Sequence, residues 1–133
     1  MRKCHLTVDI TYWVVRQLPV PIRCEFSFRP GDPFAVTLIF DDGEQPVRWV
    51  FSRELLTEGL TARVGHGDVA VWPEYDPEGE SMVWIEVGKT RHKALFEIPA
   101  LPVAQWLAST YALVPRGQET AGADWDELTL LTE

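Results

Sequence analysis

The chain lacks most of the features that usually disclose a function. Its apolar runs are strand-sized and fall well short of the roughly 18 residues needed for a membrane-crossing helix. Arg2 and Lys3 resemble the start of an export signal. The stretch that follows, CHLTVDITYWVV, alternates polar and apolar residues and carries Asp9, so no secretory signal is expected and no membrane insertion. Two cysteines, Cys4 and Cys24, are too few for a disulfide framework. They are expected to be free, half-buried thiols in a reducing cytoplasm; a disulfide would need them to face each other across paired strands. Basic residues are also scarce, with 12 Lys and Arg against 20 Asp and Glu and a net charge of −8. Phosphate binding draws on clustered cations, so a nucleic-acid partner is not expected.

The absences extend to catalysis. His5, His66 and His92 form no HxxxH or HxH pair, and there is no CxxC, so no metal ligand is assigned. GKT at 88–90 resembles the end of a phosphate-binding loop, but Val83 stands where that loop requires glycine. The carboxylate pairs Asp41 with Asp42, Glu74 with Asp76 and Glu78 with Glu80 lie in loops, with no neighbour to set one pKa apart from the other. With no GxSxG elbow either, no catalytic or cofactor-binding residue is assigned, no cofactor is expected, and the chain does not read as an enzyme.

What is present is strand periodicity and tryptophan. Cys4, Leu6, Val8, Ile10, Tyr12 and Val14 alternate with polar residues, as do Ile22, Cys24, Phe26 and Phe28 after a break at Pro19 and Pro21. RPGDP is a turn, and Phe34, Val36, Leu38 and Phe40 give a third strand. Val47, Trp49 and Phe51 give a fourth, which runs into a short helix from Arg53. Ser52 caps that helix, and Gly59 stops it through a left-handed turn. Strands follow at about 61–64, 68–73, 82–87 and 93–98. A long helix runs over about 101–114, with Pro102 in its first turn and an apolar stripe of Val103, Trp106, Leu107 and Thr110. A tail helix is expected at about 125–131. This is a single α+β domain over 1–133 with seven to eight antiparallel strands and no sequence repeat. Six Trp in 133 residues either crowd the core or reach an interface, and Trp106 and Tyr111 on the long helix are candidates for an oligomer contact. Candidate partner contacts are Arg53, Glu54 and Glu58 on the short helix. The basic tip KTRHK adds Lys89, Arg91 and Lys93, and the acidic loop EYDPEGE is a further candidate.

The segments DPFAV (32–36), VRWVFSRELLTEGL (47–60), GDVAVWP (67–73), ALFEIP (94–99) and WLASTYALVP (106–115), with Gly117 and Glu119, resemble in order and spacing the SsgA-like family of actinobacterial sporulation and cell-division proteins, the SsgB-like members among them. The stretch VGKTRHK departs from the family's Ser-Pro-x-Gly turn, and the first strand matches poorly. The resemblance implies curved, barrel-like antiparallel sheets similar to the whirly proteins, assembled as a trimer. It implies a non-enzymatic adaptor at the division septum that recruits the tubulin-like protein FtsZ and works with other SsgA-like proteins. Two alternatives stay open: a regulator of cell-wall synthesis or autolysis, and a module that binds single-stranded nucleic acid, which the whirly-like fold alone suggests.

Overall fold

Each apolar alternation becomes a strand, because a pleated chain turns successive side chains to opposite faces and only one face here is buried. The structure, a computed structural model, describes residues 4–15, 18–41, 43, 45–89 and 93–120. In chain order these form β1 (Cys4–Val15), β2 (Leu18–Phe28), β3 (Ala35–Asp41), β4 (Val47–Ser52), α1 (Arg53–Gly59), β5 (Val64–His66), β6 (Val69–Tyr75), β7 (Ser81–Val87), β8 (Ala94–Pro99) and α2 (Ala100–Leu113). The eight strands make one antiparallel sheet in the order β4-β3-β2-β1-β8-β7-β6-β5. The chain is therefore two successive units of a four-strand meander followed by a helix. They join where β1 meets β8 over the pairs Thr11↔Glu97, Tyr12↔Phe96 and Trp13↔Leu95. The sequence carries no repeat, so the duplication is one of topology alone.

The sheet curls into a half-barrel. β3 and β8 are three strand spacings apart, roughly 14 Å on a flat sheet, yet Phe40 and Phe96 stack with ring centroids 4.0 Å apart. The core fills the concave side with Phe26, Phe28, Leu38, Val83, Ile85 and Ile98 among others, and α2 buries Val103, Trp106, Leu107 and Thr110 against it. Trp106 meets Phe26 edge-on at 5.4 Å.

Several expectations are corrected by this geometry. Pro19 and Pro21 do not interrupt the sheet: β2 runs through both, opposite Trp13 and Thr11. Prolines two residues apart lose their N–H groups on one and the same edge, and among the described residues the pairing with β3 ends at Arg23, short of both. Phe34 is not a strand residue. It sits in the turn closed by the Ala35 N–H to the Asp32 carbonyl, 57% exposed, and its own carbonyl accepts the Arg53 N–H. The strand expected at 61–64 forms instead over Val64–His66, because the N–H groups of Leu60, Thr61 and Ala62 are occupied in closing α1. Cys4 and Cys24 are free, Cys24 fully buried. Register sets Cys4 opposite Phe28 and Cys24 opposite Val8, an offset of four residues, roughly 13 Å along the strands. No disulfide spans that. The tail helix expected at 125–131 lies outside the described residues.

Candidate partner-binding surface

The corner from β4 into α1 is held from inside. Ser52 Oγ accepts the Leu55 N–H at 3.1 Å, which fixes the first turn of α1. Arg53 then points inward and is 1% exposed, so its assignment as a surface contact is corrected. Its guanidinium lies 4.8 Å from the centroid of the Phe28 ring and 4.0 Å from that of Tyr111. Nη1 donates to the Thr110 carbonyl at 3.1 Å, and Nη2 to the Glu119 carboxylate at 3.2 Å. That carbonyl belongs to the last turn of α2, which carries no basic residue of its own; Arg53 supplies the cation that a helix C-terminus favours. Thr57 gives its one hydroxyl hydrogen to the Arg53 carbonyl at 2.9 Å, so in the 2.7 Å contact between Thr57 and Tyr111 the tyrosine is the donor. Residues 53, 57, 110, 111 and 119 thus form one knot between the two helices.

Glu119 also accepts the Gly117 N–H at 2.9 Å. Its carboxyl is held below the usual carboxylate range, first by its own backbone N–H and then by the Arg53 guanidinium and the Gly117 N–H, which together outweigh the opposing effect of burial. A depressed folded pKa stabilises the fold above the unfolded value of about 4.3, and that stability is lost as pH falls through the folded value. Denaturant melts at a series of pH values should show this acid loss in the native chain. Glu119→Gln should be less stable at pH 7 and show a shallower acid limb, whereas parallel profiles would exclude the ion pair as the cause.

Gly59 ends α1 for a different reason than expected. It does not adopt a positive φ, and Leu60, which follows, is right-handed. A Cβ at Gly59 would instead collide with Cγ1 of Val71 and lie 2.6 Å from its Cβ, and Val71 is a fully buried residue of β6. Glycine is required here by close packing.

The remaining candidates sort by exposure. Glu54 and Glu58 are exposed on α1. Lys89 and Lys93 are exposed on either side of the β7–β8 connection, and Arg91 lies outside the described residues. Trp106 is buried in this chain's own core, which corrects its assignment to an oligomer contact, and its Nε1 has no hydrogen-bond partner among the described residues. Tyr111 is half-buried and committed to Arg53 and Thr57. The acidic loop folds on itself, Asp76 Oδ1 accepting the N–H groups of Glu78 and Glu80.

Two groupings arise only in three dimensions. On the convex face Trp84 stacks between Trp13 at 6.1 Å and Trp72 at 6.4 Å, and the Arg63 guanidinium lies 4.3 Å from the Trp72 ring centroid. Carboxylates line this row: Glu97 accepts the Trp13 N–H at 3.2 Å and Glu74 that of Trp72 at 3.4 Å. Burial pushes the Glu97 carboxyl up; the Trp13 bond opposes the shift, and Asp76, Glu74 and Glu78 add to it. The parity of Val83, Ile85 and Val87 already puts Trp84 outside. What the sequence could not give was the strand order that lines up three such residues. The second grouping is an open groove of about 790 Å³ that gathers Arg63, His66, Lys89 and Lys93 from two separate hairpins. Lys93 pairs there with Glu86 at 3.4 Å. Among the described residues no group of three or more His, Cys, Asp or Glu is arranged to hold a metal ion, and no helix is long and apolar enough to cross a membrane.

Residues 22–119 match the protein family described as Streptomyces sporulation and cell division protein, SsgA. The chain is 39% identical to the sporulation-specific cell division protein SsgB of Thermobifida fusca over 120 residues, 90% of this chain and 86% of that one. It is 38% identical to SsgB of Streptomyces coelicolor over 125 residues, 93% of this chain and 89% of that one. The solved structure of an SsgA-like sporulation-specific cell division protein from Thermobifida fusca superposes with a TM-score of 0.89 at 34% identity, covering 99% of this chain and 96% of that one.

Proposed function

This chain belongs to the SsgA family of sporulation and cell-division proteins, and from that membership we propose that it acts as a non-enzymatic adaptor at the division septum, on the cytoplasmic side, recruiting FtsZ. A role in sporulation cell division follows from the family itself. The observation that supports an adaptor is where the charged side chains lie. Glu54, Glu58, Arg63, Lys89 and Lys93 are all exposed, and the one buried cation among the described residues, Arg53, is consumed in joining α1 to α2. The test is co-pelleting with purified FtsZ assembled in GTP. The protein should sediment with the filaments or change their bundling; neither effect would overturn direct recruitment.

A homotrimer is part of this reading. Its support is the edge of β4, with which no strand but β3 pairs among the described residues and where Val47 and Val50 are 51% and 56% exposed. Sedimentation at micromolar concentration should give about three times 15.1 kDa, and a monomer throughout would remove the trimer.

The tryptophan row favours a second reading, since stacked aromatics on a sheet face are a platform for single-stranded nucleic acid. The carboxylates of Glu74, Glu97 and Asp76 oppose it by repelling phosphate. Oligothymidine should not bind at physiological salt, and submicromolar affinity would reverse this ranking.

A further inference from the structure

The two sets of exposed charged candidates, far apart in the sequence, flank a single strand. β5 is the last strand of the sheet, and among the described residues no strand pairs with its outer edge. Val64 and Gly65 line two grooves at once. One is the groove of Arg63 and Lys89, which Asp68 and Glu86 also line; the other lies against α1 and is lined by Glu54, Leu55 and Glu58, and His66 borders both. Strand parity assigns the sides. Gly65 pairs with Ala70 on the convex face that carries Trp72, while Val64 pairs with buried Val71 on the face that α1 covers. Arg63, stacked on Trp72, is fixed on the convex side. A chain laid along this edge would therefore send alternate side chains toward cations and toward carboxylates.

We infer that the free edge of β5 is a strand-addition site for an extended segment of a partner protein, with alternate side chains acidic toward Arg63 and Lys89 and basic toward Glu54 and Glu58. Main-chain hydrogen bonds to the open edge supply binding, and the alternating charges fix register and face. A register slip of one residue places like charge against like on both sides. The ion pair of Glu54 with Arg116, 3.7 Å and largely solvated, is cheap to give up to a basic side chain. Lys89 has no ion pair among the described residues to give up. The inference rests on the reading that this chain acts by binding a protein.

Two capped octapeptides of one composition test it, one alternating Glu and Lys, the other a Glu block followed by a Lys block. Each is titrated into the isotope-labelled full chain and read at the amides of Val64, Gly65 and His66. The alternating peptide should shift these amides, and the block peptide should bind about tenfold more weakly. Glu54→Lys with Glu58→Lys, and separately Arg63→Glu with Lys89→Glu, should each weaken the alternating peptide by a similar factor; all four side chains are exposed, so the fold is kept. The inference is overturned by equal binding of the two peptides, by no shift at millimolar peptide, or by shifts confined to the Trp13–Trp84 face. Protection of the β5 amides that grows with protein concentration would also overturn it, by giving the edge to a second copy. If FtsZ still binds both charge-reversed variants as it binds the native chain, the edge is excluded while the adaptor reading stands.

Discussion

Arg53→Met is expected to destabilise the protein by about 2–4 kcal/mol, through the lost hydrogen bonds of a charged side chain that is itself buried, at roughly 1.5–3 kcal/mol for a bond to a charged group. Methionine keeps an unbranched apolar stem but loses the guanidinium together with its stacking on Phe28 and Tyr111. What remains behind is a Glu119 carboxylate without its cation and a Thr110 carbonyl at the end of α2 without its side-chain donor. Against a total stability of about 5–15 kcal/mol this is a large fraction, and the midpoint of thermal unfolding should fall by roughly 10–20 °C. Arg53→Glu should not fold, since it sets a second carboxylate against Glu119 and offers the Thr110 carbonyl no donor. Removing both charges should cost less than removing the cation alone, so Arg53→Met with Glu119→Leu should regain part of the loss. A double variant no better than Arg53→Met would mean that the guanidinium acts through packing and the Thr110 carbonyl, and that the ion pair contributes nothing.

Gly59→Ala is the second large effect, and its sign opposes helix propensity. In an exposed helix the change stabilises by roughly 1 kcal/mol. Here the new Cβ would collide with Val71 Cγ1, and Val71 is fully enclosed in β6. Either α1 lifts from the sheet or β6 shifts, and overpacking of this kind costs about 1–3 kcal/mol or more. Urea unfolding should show the loss. Val71→Ala, itself destabilising through the cavity it leaves, should make room, so that the double variant is more stable than the sum of the two single changes predicts. Strict additivity would contradict the contact. The same lifting of α1 would disturb Glu54 and Glu58, so this variant also couples core packing to the proposed partner surface.

Sequence pattern accounted for much of the architecture. Period-two alternation found the long strands, since burial of one face imposes it locally. The stripe on α2 was equally legible, and so was Ser52 as the cap of α1, because both depend on neighbours a few residues away. Local pattern does not encode remote partners. Arg53 looks like a surface residue on a short helix; it is buried because Phe28, Thr110, Tyr111 and Glu119 arrive from elsewhere in the chain to receive it. Gly59 looks like a helix stop, and only the approach of Val71 shows why no side chain fits. Pro19 and Pro21 look like breakers until the register with β1 shows β2 running through both.

By itself the sequence determined most of the strands, the helices that follow Ser52 and Pro99, the acidic balance and the family, all of which are carried by local pattern and by motifs in order. The tertiary structure decided which charges are surface and which are interior. That depends on strand order and curl, which bring distant residues together and which no local period encodes. Curling put Phe40 on Phe96, strand order put Trp13, Trp84 and Trp72 in a row, and the end of the sheet left β5 open between Glu54 and Lys89.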